Sequence, residues 1–200
     1  MVEPATRRAP AVPEAAWLKA LPSAARFAFH GAAAARAAAQ PVWGPAFSEE
    51  ACRANAHATR ATLWLGPDEY LLLDWSSGGV PGADRPTPGS PEGSMLASPM
   101  FSALEHALAG IPHALADISH RQFALEVLGP HAATILSGAC PLDLDLAEFP
   151  VGMCTRTVLA KADIVLWRTQ ENMFHLEVWR SFAGYVGGLL HEIASEFYPP

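Results

Sequence analysis

Hydrophobic and polar positions along this chain follow one order twice. Residues 26–31 (RFAFHG) alternate with the two-residue period of a half-buried strand and stop at a glycine, and an alanine-rich run over 32–39 predicts a helix. Residues 123–129 (FALEVLG) repeat the strand-then-glycine pattern. A second helix is predicted to open at Pro130 and stop near Gly138, where proline suits the first turn and glycine the position past the end. Each helix is followed by a loop and then by two extended runs. In the first half these are 62–65 (TLWL) and 70–73 (YLLL), joined by GPDE, a hairpin signal. In the second they are 164–167 (IVLW) and 174–179 (FHLEVW), joined by 168–173. A helix closes each half. The first has Ser98 at the N-cap, Pro99 behind it, and Phe101, Leu104 and Leu108 on one face. The second starts after Ser181 and carries Phe182, Tyr185, Val186, Leu189, Leu190, Ile193 and Phe197 at helical spacing.

Each half therefore reads β-α-β-β-α, with further strands predicted at 113–118 and 155–159. This order predicts an α+β fold of two related split-βαβ-type units, helices packed on antiparallel sheets. The repeat offset is roughly one hundred residues, the size of one small unit. Duplication and convergent use of a common motif both account for it. Residues 1–22 are expected to form a flexible arm, 23–115 the first half and 116–200 the second. Residues 76–98, dominated by Pro, Gly and Ser, break the first half and are expected to be a solvated loop.

Composition sharpens the picture. The chain has 200 residues, half of them hydrophobic and 16% charged, which supplies a real core. Six Trp and nine Phe point to a protein interface as well as a core. A net charge of -7 without a basic face argues against nucleic-acid binding. No basic cluster marks a membrane surface, and no apolar run approaches the roughly 20 residues that span a bilayer. The N-terminus lacks the continuous apolar stretch of a signal peptide. Three cysteines without a CxxC pair suit a reducing compartment, so the expected location is the cytoplasm.

Candidate chemistry is sparse. His113 and His120 lie seven residues apart, and HEIAS at 191–195 lacks the second His of a zinc-protease helix, so neither forms a metal-ligand set. Cys140 follows a helix end rather than a helix start, which does not activate a thiolate; it and Cys154 read as small buried side chains. No phosphate-binding glycine loop is present, and Gly187-Gly188 within a helix suit close packing. The arginines are more informative. Arg121, Arg156, Arg168 and Arg180 fall in or beside strands of the second half, near Asp117, Trp167 and Trp179. Planar guanidinium groups there can hold carboxylates, phosphates or a partner's backbone carbonyls; solvated strand ends or internal ion pairs are the alternative. Along 174–179, Phe174, Leu176 and Val178 share one face, so His175, Glu177 and Trp179 share the other. Trp179 beside Arg180 resembles an interface edge; coverage of that face by a helix of the other half is the alternative.

DISHRQFALEVLGPHA, GACPLDL, FPVG, CTRT and EVWRSFAGYV follow one another over about the last ninety residues, and WLGPDEYLLL stands before them in the first half. By these motifs the sequence resembles the gamma subunit of bacterial heterotetrameric sarcosine oxidase. The resemblance implies a fold similar to the folate-binding module of the glycine-cleavage aminomethyltransferase. It implies partners, the alpha, beta and delta subunits, in an assembly that oxidatively demethylates sarcosine to glycine with formation of hydrogen peroxide and 5,10-methylenetetrahydrofolate. It places FAD, FMN, NAD, tetrahydrofolate and zinc on those partners and no catalytic, cofactor or metal residue on this chain. The other reading of the chain is a module that itself binds a folate or related one-carbon carrier.

Overall fold

The computed structural model describes residues 12, 13, 15–79 and 98–198. Within them the chain folds as four layers, helix, sheet, sheet and helix. The first half contributes β2 (Ser23–His30), α1 (Ala33–Trp43), β3 (Ala54–His57), β4 (Arg60–Gly66), β5 (Glu69–Gly79), α2 (Pro99–Ala107) and β6 (Ala114–Asp117). The second contributes β7 (Gln122–Leu128), α3 (Ala132–Ser137), β8 (Cys154–Leu159), β9 (Ala162–Gln170), β10 (Met173–Trp179) and α4 (Ala183–Ala194). A further strand, β1 (Leu18–Ala20), precedes both.

The two antiparallel sheets have the orders β6-β2-β5-β4-β3 and β1-β7-β10-β9-β8, one the counterpart of the other. Their edge strands are exchanged. β1 precedes β2 in the chain but pairs with β7, Leu18 opposite Val127; β6 precedes β7 but pairs with β2, Phe27 opposite Asp117. The correspondence reaches the turns. The hairpins β3–β4 and β8–β9 both bend at a left-handed alanine, Ala58 at φ 52° and Ala160 at φ 50°. Cys52 and Gly152, which precede β3 and β8, are likewise left-handed, and Arg53 bridges Met153 between the two sheets.

Alternation along the strands builds three apolar layers. Phe27, Phe29, Tyr70 and Leu72 face α1 and α2, where Trp43, Leu104 and Leu108 meet them. Leu125, Leu166, Phe174, Leu176 and Val178 face α3 and α4, meeting Ile135, Val186 and Leu190. Between the sheets, Ala61, Leu63, Leu71 and Leu73 pack on Cys154 and Val165. At roughly 1.5–3 kcal/mol for each large apolar side chain removed from water, these layers are the main source of stability.

Four departures from the expected boundaries bear on how the halves are built. The arm expected to be flexible through residue 22 is built into the second half at Val12 and from Ala15 on. Trp17 and Leu18 are buried, Tyr198 stacks on Trp17, and β1 donates a strand to β7. That stretch is too short and too mixed to show a strand period; tertiary pairing orders it. The expected division at 115/116 falls inside β6, because the exchanged strand belongs to the first sheet. The expected loop at 76–98 begins later, since β5 continues to Gly79 opposite Ser23; its part at 80–97 lies outside the described residues. Finally, α1 runs past the alanine run through Pro41 to Trp43, whose fully buried indole donates to Thr62 Oγ1 at 2.7 Å. Proline in the last turn forfeits one helix hydrogen bond, and burial of Trp43 offsets that loss.

Candidate functional site

A cleft of about 420 Å³ opens between the two sheets, and both halves line it. Tyr70 and Leu71 come from β5, Arg121 and Gln122 from the start of β7, Arg156 from β8, Asp163 from β9, and Glu177 and Trp179 from β10. Leu71, Gln122, Arg156, Asp163, Glu177 and Trp179 arrive together because β7, β10, β9 and β8 are neighbours and the alternate face of each looks toward the first sheet.

The floor of the cleft is charged and buried. Glu177 lies opposite Ala124 on β7 and Val165 on β9, with its side chain fully buried. Arg26, on β2 of the other sheet, donates its Nε–H to Glu177 Oε2 at 2.6 Å and an Nη1–H to the Ala24 carbonyl at 2.8 Å. His175 donates its Nε2–H to Glu177 Oε1 at 2.9 Å, and its ring is flanked by Trp75 and Trp167. Burial pushes the Glu177 pKa upward, but Arg26 and His175 outweigh it and hold the carboxyl below its ordinary value. The pair therefore joins the halves as an internal ion pair. Its sequence signal was the polar pair His175 and Glu177 on the back of an apolar strand face. A strand buried on both faces is where such charges need partners, yet nothing in the local pattern identifies Arg26, 151 residues away, as that partner.

At the rim, Arg156 forms a bidentate pair with Glu69, its Nη1 2.9 Å from Oε2 and its Nη2 2.5 Å from Oε1. That hydrogen bond lowers the Glu69 pKa. Burial raises the pKa of Tyr70, whose hydroxyl donates to the Ser48 carbonyl at 2.8 Å. Arg121 lies over the Trp179 ring, 5.1 Å from its centroid. Gln122 lines the cleft although buried, and its Oε1 has no hydrogen-bond partner among the described residues.

The five sequence candidates thus separate. Arg121, Arg156 and Trp179 line one cleft; Arg180 is adjacent, its backbone N–H donating to the Arg121 carbonyl at 2.8 Å. Arg168 leaves the set. It is 3% exposed, stacks on Phe174, and donates to the carbonyls of Leu144, Phe149 and Glu171. A guanidinium spent on backbone oxygens of its own chain has no fork left for a partner. It pins the loop between α3 and β8 instead. The face of β10 that carries Trp179 is covered by the other half's sheet, not by a helix, at His175 and Glu177; Trp179 lies beyond that cover and is 44% exposed.

The remaining candidates are structural. Cys154 is fully buried with its Sγ on the Trp64 carbonyl, and burial, then Cys52, pushes its thiol up to about 12. Cys140 is buried near Thr157. Gly187 faces Val12, where a Cβ would come within 2.7 Å of a methyl, while Gly188 has open space. Among the described residues no group of His, Cys, Asp and Glu could hold a metal ion, and no helix is long and apolar enough to cross a membrane.

Comparison with known proteins places this geometry in context. Residues 30–196 match the family described as sarcosine oxidase, gamma subunit. The sarcosine oxidase subunit gamma of Corynebacterium sp. (strain P-1) is 33% identical over 137 residues, covering 68% of this chain and 58% of that protein. The subunit gamma of an Arthrobacter species is 33% identical over 147 residues, 74% of this chain and 63% of that protein. The chain thus matches less than two thirds of the length of these relatives. Among solved structures, a chain of the heterotetrameric sarcosine oxidase from Corynebacterium sp. U-96 superposes with a TM-score of 0.74 at 26% identity, over 90% of this chain and 84% of that one. The glycine cleavage system aminomethyltransferase T of Bartonella henselae gives a TM-score of 0.58 at 14% identity, over 86% of this chain and 44% of that one, a likeness of fold alone.

Proposed function

Because the chain belongs to the sarcosine oxidase gamma subunit family, we propose that it is the non-catalytic small subunit of a heterotetrameric sarcosine oxidase and that it stabilises the assembly of the larger subunits. In this reading its partners are the alpha, beta and delta subunits, in the cytoplasm. They hold FAD, FMN, NAD, tetrahydrofolate and zinc and oxidatively demethylate sarcosine to glycine, forming hydrogen peroxide and 5,10-methylenetetrahydrofolate. The observation that carries the reading is the agreement of one-third identity to curated gamma subunits with the 0.74 superposition on a heterotetrameric sarcosine oxidase chain.

The local chemistry supports a binding surface rather than a reaction centre. Glu177, the most buried acid of the cleft, is held ionised by Arg26 and His175, which is the wrong state for a general acid and a poor one for a base. Trp179, Arg121 and Arg156 are the residue types that anchor interfaces. Trp179→Ala in the co-expressed complex tests this. It is expected to weaken subunit association by roughly 2 kcal/mol or more while the chain stays folded; normal assembly, or unfolding of the variant, contradicts the assignment.

One observation favours a second reading. The cleft is of the size that holds small ligands, roughly 300–1,000 Å³, and its Trp and Arg lining suits a planar anion such as a folate. Titration calorimetry of the purified chain with tetrahydrofolate separates the two: no heat of binding is expected of an assembly subunit.

A further inference from the structure

Exposed apolar surface is concentrated at one corner of the molecule. Among the described residues six large hydrophobic side chains are exposed, and three of them, Trp179 (44%), Phe182 (39%) and Tyr185 (41%), fall within seven residues. They run from the end of β10 through a helical turn into α4, and the rings of Phe182 and Tyr185 touch, 6.4 Å between centroids. Helical periodicity alone places Phe182 and Tyr185 with the core-facing side chains. The structure instead sends Val186 and Leu190 inward and leaves these two rings in solvent. Trp179 also lines the cleft, and Phe182 follows it by three residues at the start of α4.

Charge defines what this corner can accept. Arg156 is neutralised by Glu69, and Glu177 by Arg26 and His175. Arg121 lies over Trp179 and forms no ion pair among the described residues; Asp163, on the β9 side, forms none either. A guanidinium stacked on an aromatic face keeps its outer N–H groups directed at solvent, ready for a carboxylate.

We propose that Arg121, Trp179, Phe182 and Tyr185 dock a polypeptide segment of a neighbouring subunit, one that lays an apolar side chain on the three rings and brings an Asp or Glu carboxylate to Arg121. The inference rests on the subunit reading above and names the face and the partner chemistry. A small molecule confined to the cleft leaves Phe182 and Tyr185 exposed, whereas a chain segment covers both the cleft mouth and α4. A two-fold contact sets Arg121 against its own copy only where Arg121 lies on the axis, so a second copy of this chain is one of the outcomes that the test below separates. Aromatic side chains with an arginine are the composition of an interface centre, and an acidic partner fits a cation that its own chain leaves uncompensated.

The test uses the full chain co-expressed with its complex. A photoreactive benzophenone side chain replaces Tyr185, with a matched replacement at exposed Glu105 as control, and cross-linked peptides are identified by mass spectrometry. The expected product from position 185 joins an Asp- or Glu-containing segment of another subunit, and the control joins none. Arg121→Glu is then expected to weaken recovery of the complex at least about tenfold, with restoration when the cross-linked acidic residue is changed to Lys. Folding of Arg121→Glu is checked by its melting temperature, which should not change. A cross-link to a second copy of this chain, or no cross-link at 185 from an intact complex, overturns the docking site while leaving the subunit reading standing. Failure of the unmodified chain to recover any partner overturns both.

Discussion

Removing the carboxylate of Glu177 is the severest single test of how the halves are held. Its side chain is fully buried and that of Arg26 is 3% exposed, so Glu177→Ala leaves a guanidinium in the interior with only the Ala24 carbonyl. It also strands the His175 N–H. Breaking one partner out of a buried ion pair costs about 3–5 kcal/mol. For a chain of this length each kcal/mol moves the melting temperature by about 2–4 °C, so a drop of about 6–20 °C is expected by calorimetry. Arg156→Ala is the control. It breaks a bidentate pair whose arginine is about half exposed, which is worth at most about 1 kcal/mol. Acid provides a second measure. The Glu177 carboxyl is held below its ordinary value of 4.5, so its contribution is fully present above that pH. The contribution is lost as pH falls from there through the folded-state value. Glu177→Gln, which cannot ionise, should flatten that limb of the pH–stability curve. If Glu177→Ala melts within about 3 °C of the parent, or if Glu177→Gln leaves the acid limb unchanged, the ion pair does not join the halves as described.

Three further outcomes follow from the packing. Trp17→Ala should destabilise the chain by about 3–5 kcal/mol in urea unfolding, because the ring is buried against His191 and Tyr198; a loss under about 1 kcal/mol would return residues 12–22 to the status of an arm. Gly188→Ala, with open space around it, should gain up to about 1 kcal/mol of helix propensity, while Gly187→Ala should gain less or lose because its methyl meets Val12. In native protein an aromatic disulfide reagent should titrate half-buried Cys52 within minutes and leave Cys140 and Cys154 unreacted until denaturant is added; fast reaction at Cys154 would contradict its burial and its thiol near 12.

What the sequence made legible follows from where the information sits. Strands such as 26–30 and 174–179 carry their own period, and α2 announces itself with Ser98 and Pro99, so both halves and their element order could be read locally. β1 and β3 could not. LKA and ANAH have no periodic signal, and each is a strand because a neighbour's ladder recruits it. The exchange of β1 and β6 is likewise a property of the pair of halves, which is why a boundary drawn along the chain cut through β6. Among the candidate residues, Arg121, Arg156 and Trp179 were identifiable as residue types at strand ends, and the sheet order brings them together. Arg168 has the same sequence context but is turned inward by the carbonyls of the loop it pins. Guanidinium direction is decided by tertiary contacts that no spacing records.

Assembly with partner subunits is the property that defines the proposed role of this chain. The most direct measurement is to tag this chain in its native host, isolate it under mild conditions, identify what comes with it and assay sarcosine-dependent peroxide formation. Stoichiometric recovery of three other subunits is expected, with oxidase activity in the complex and none in the isolated chain. Recovery of this chain alone as a monomer, or peroxide formed from sarcosine by the purified chain itself, would contradict it.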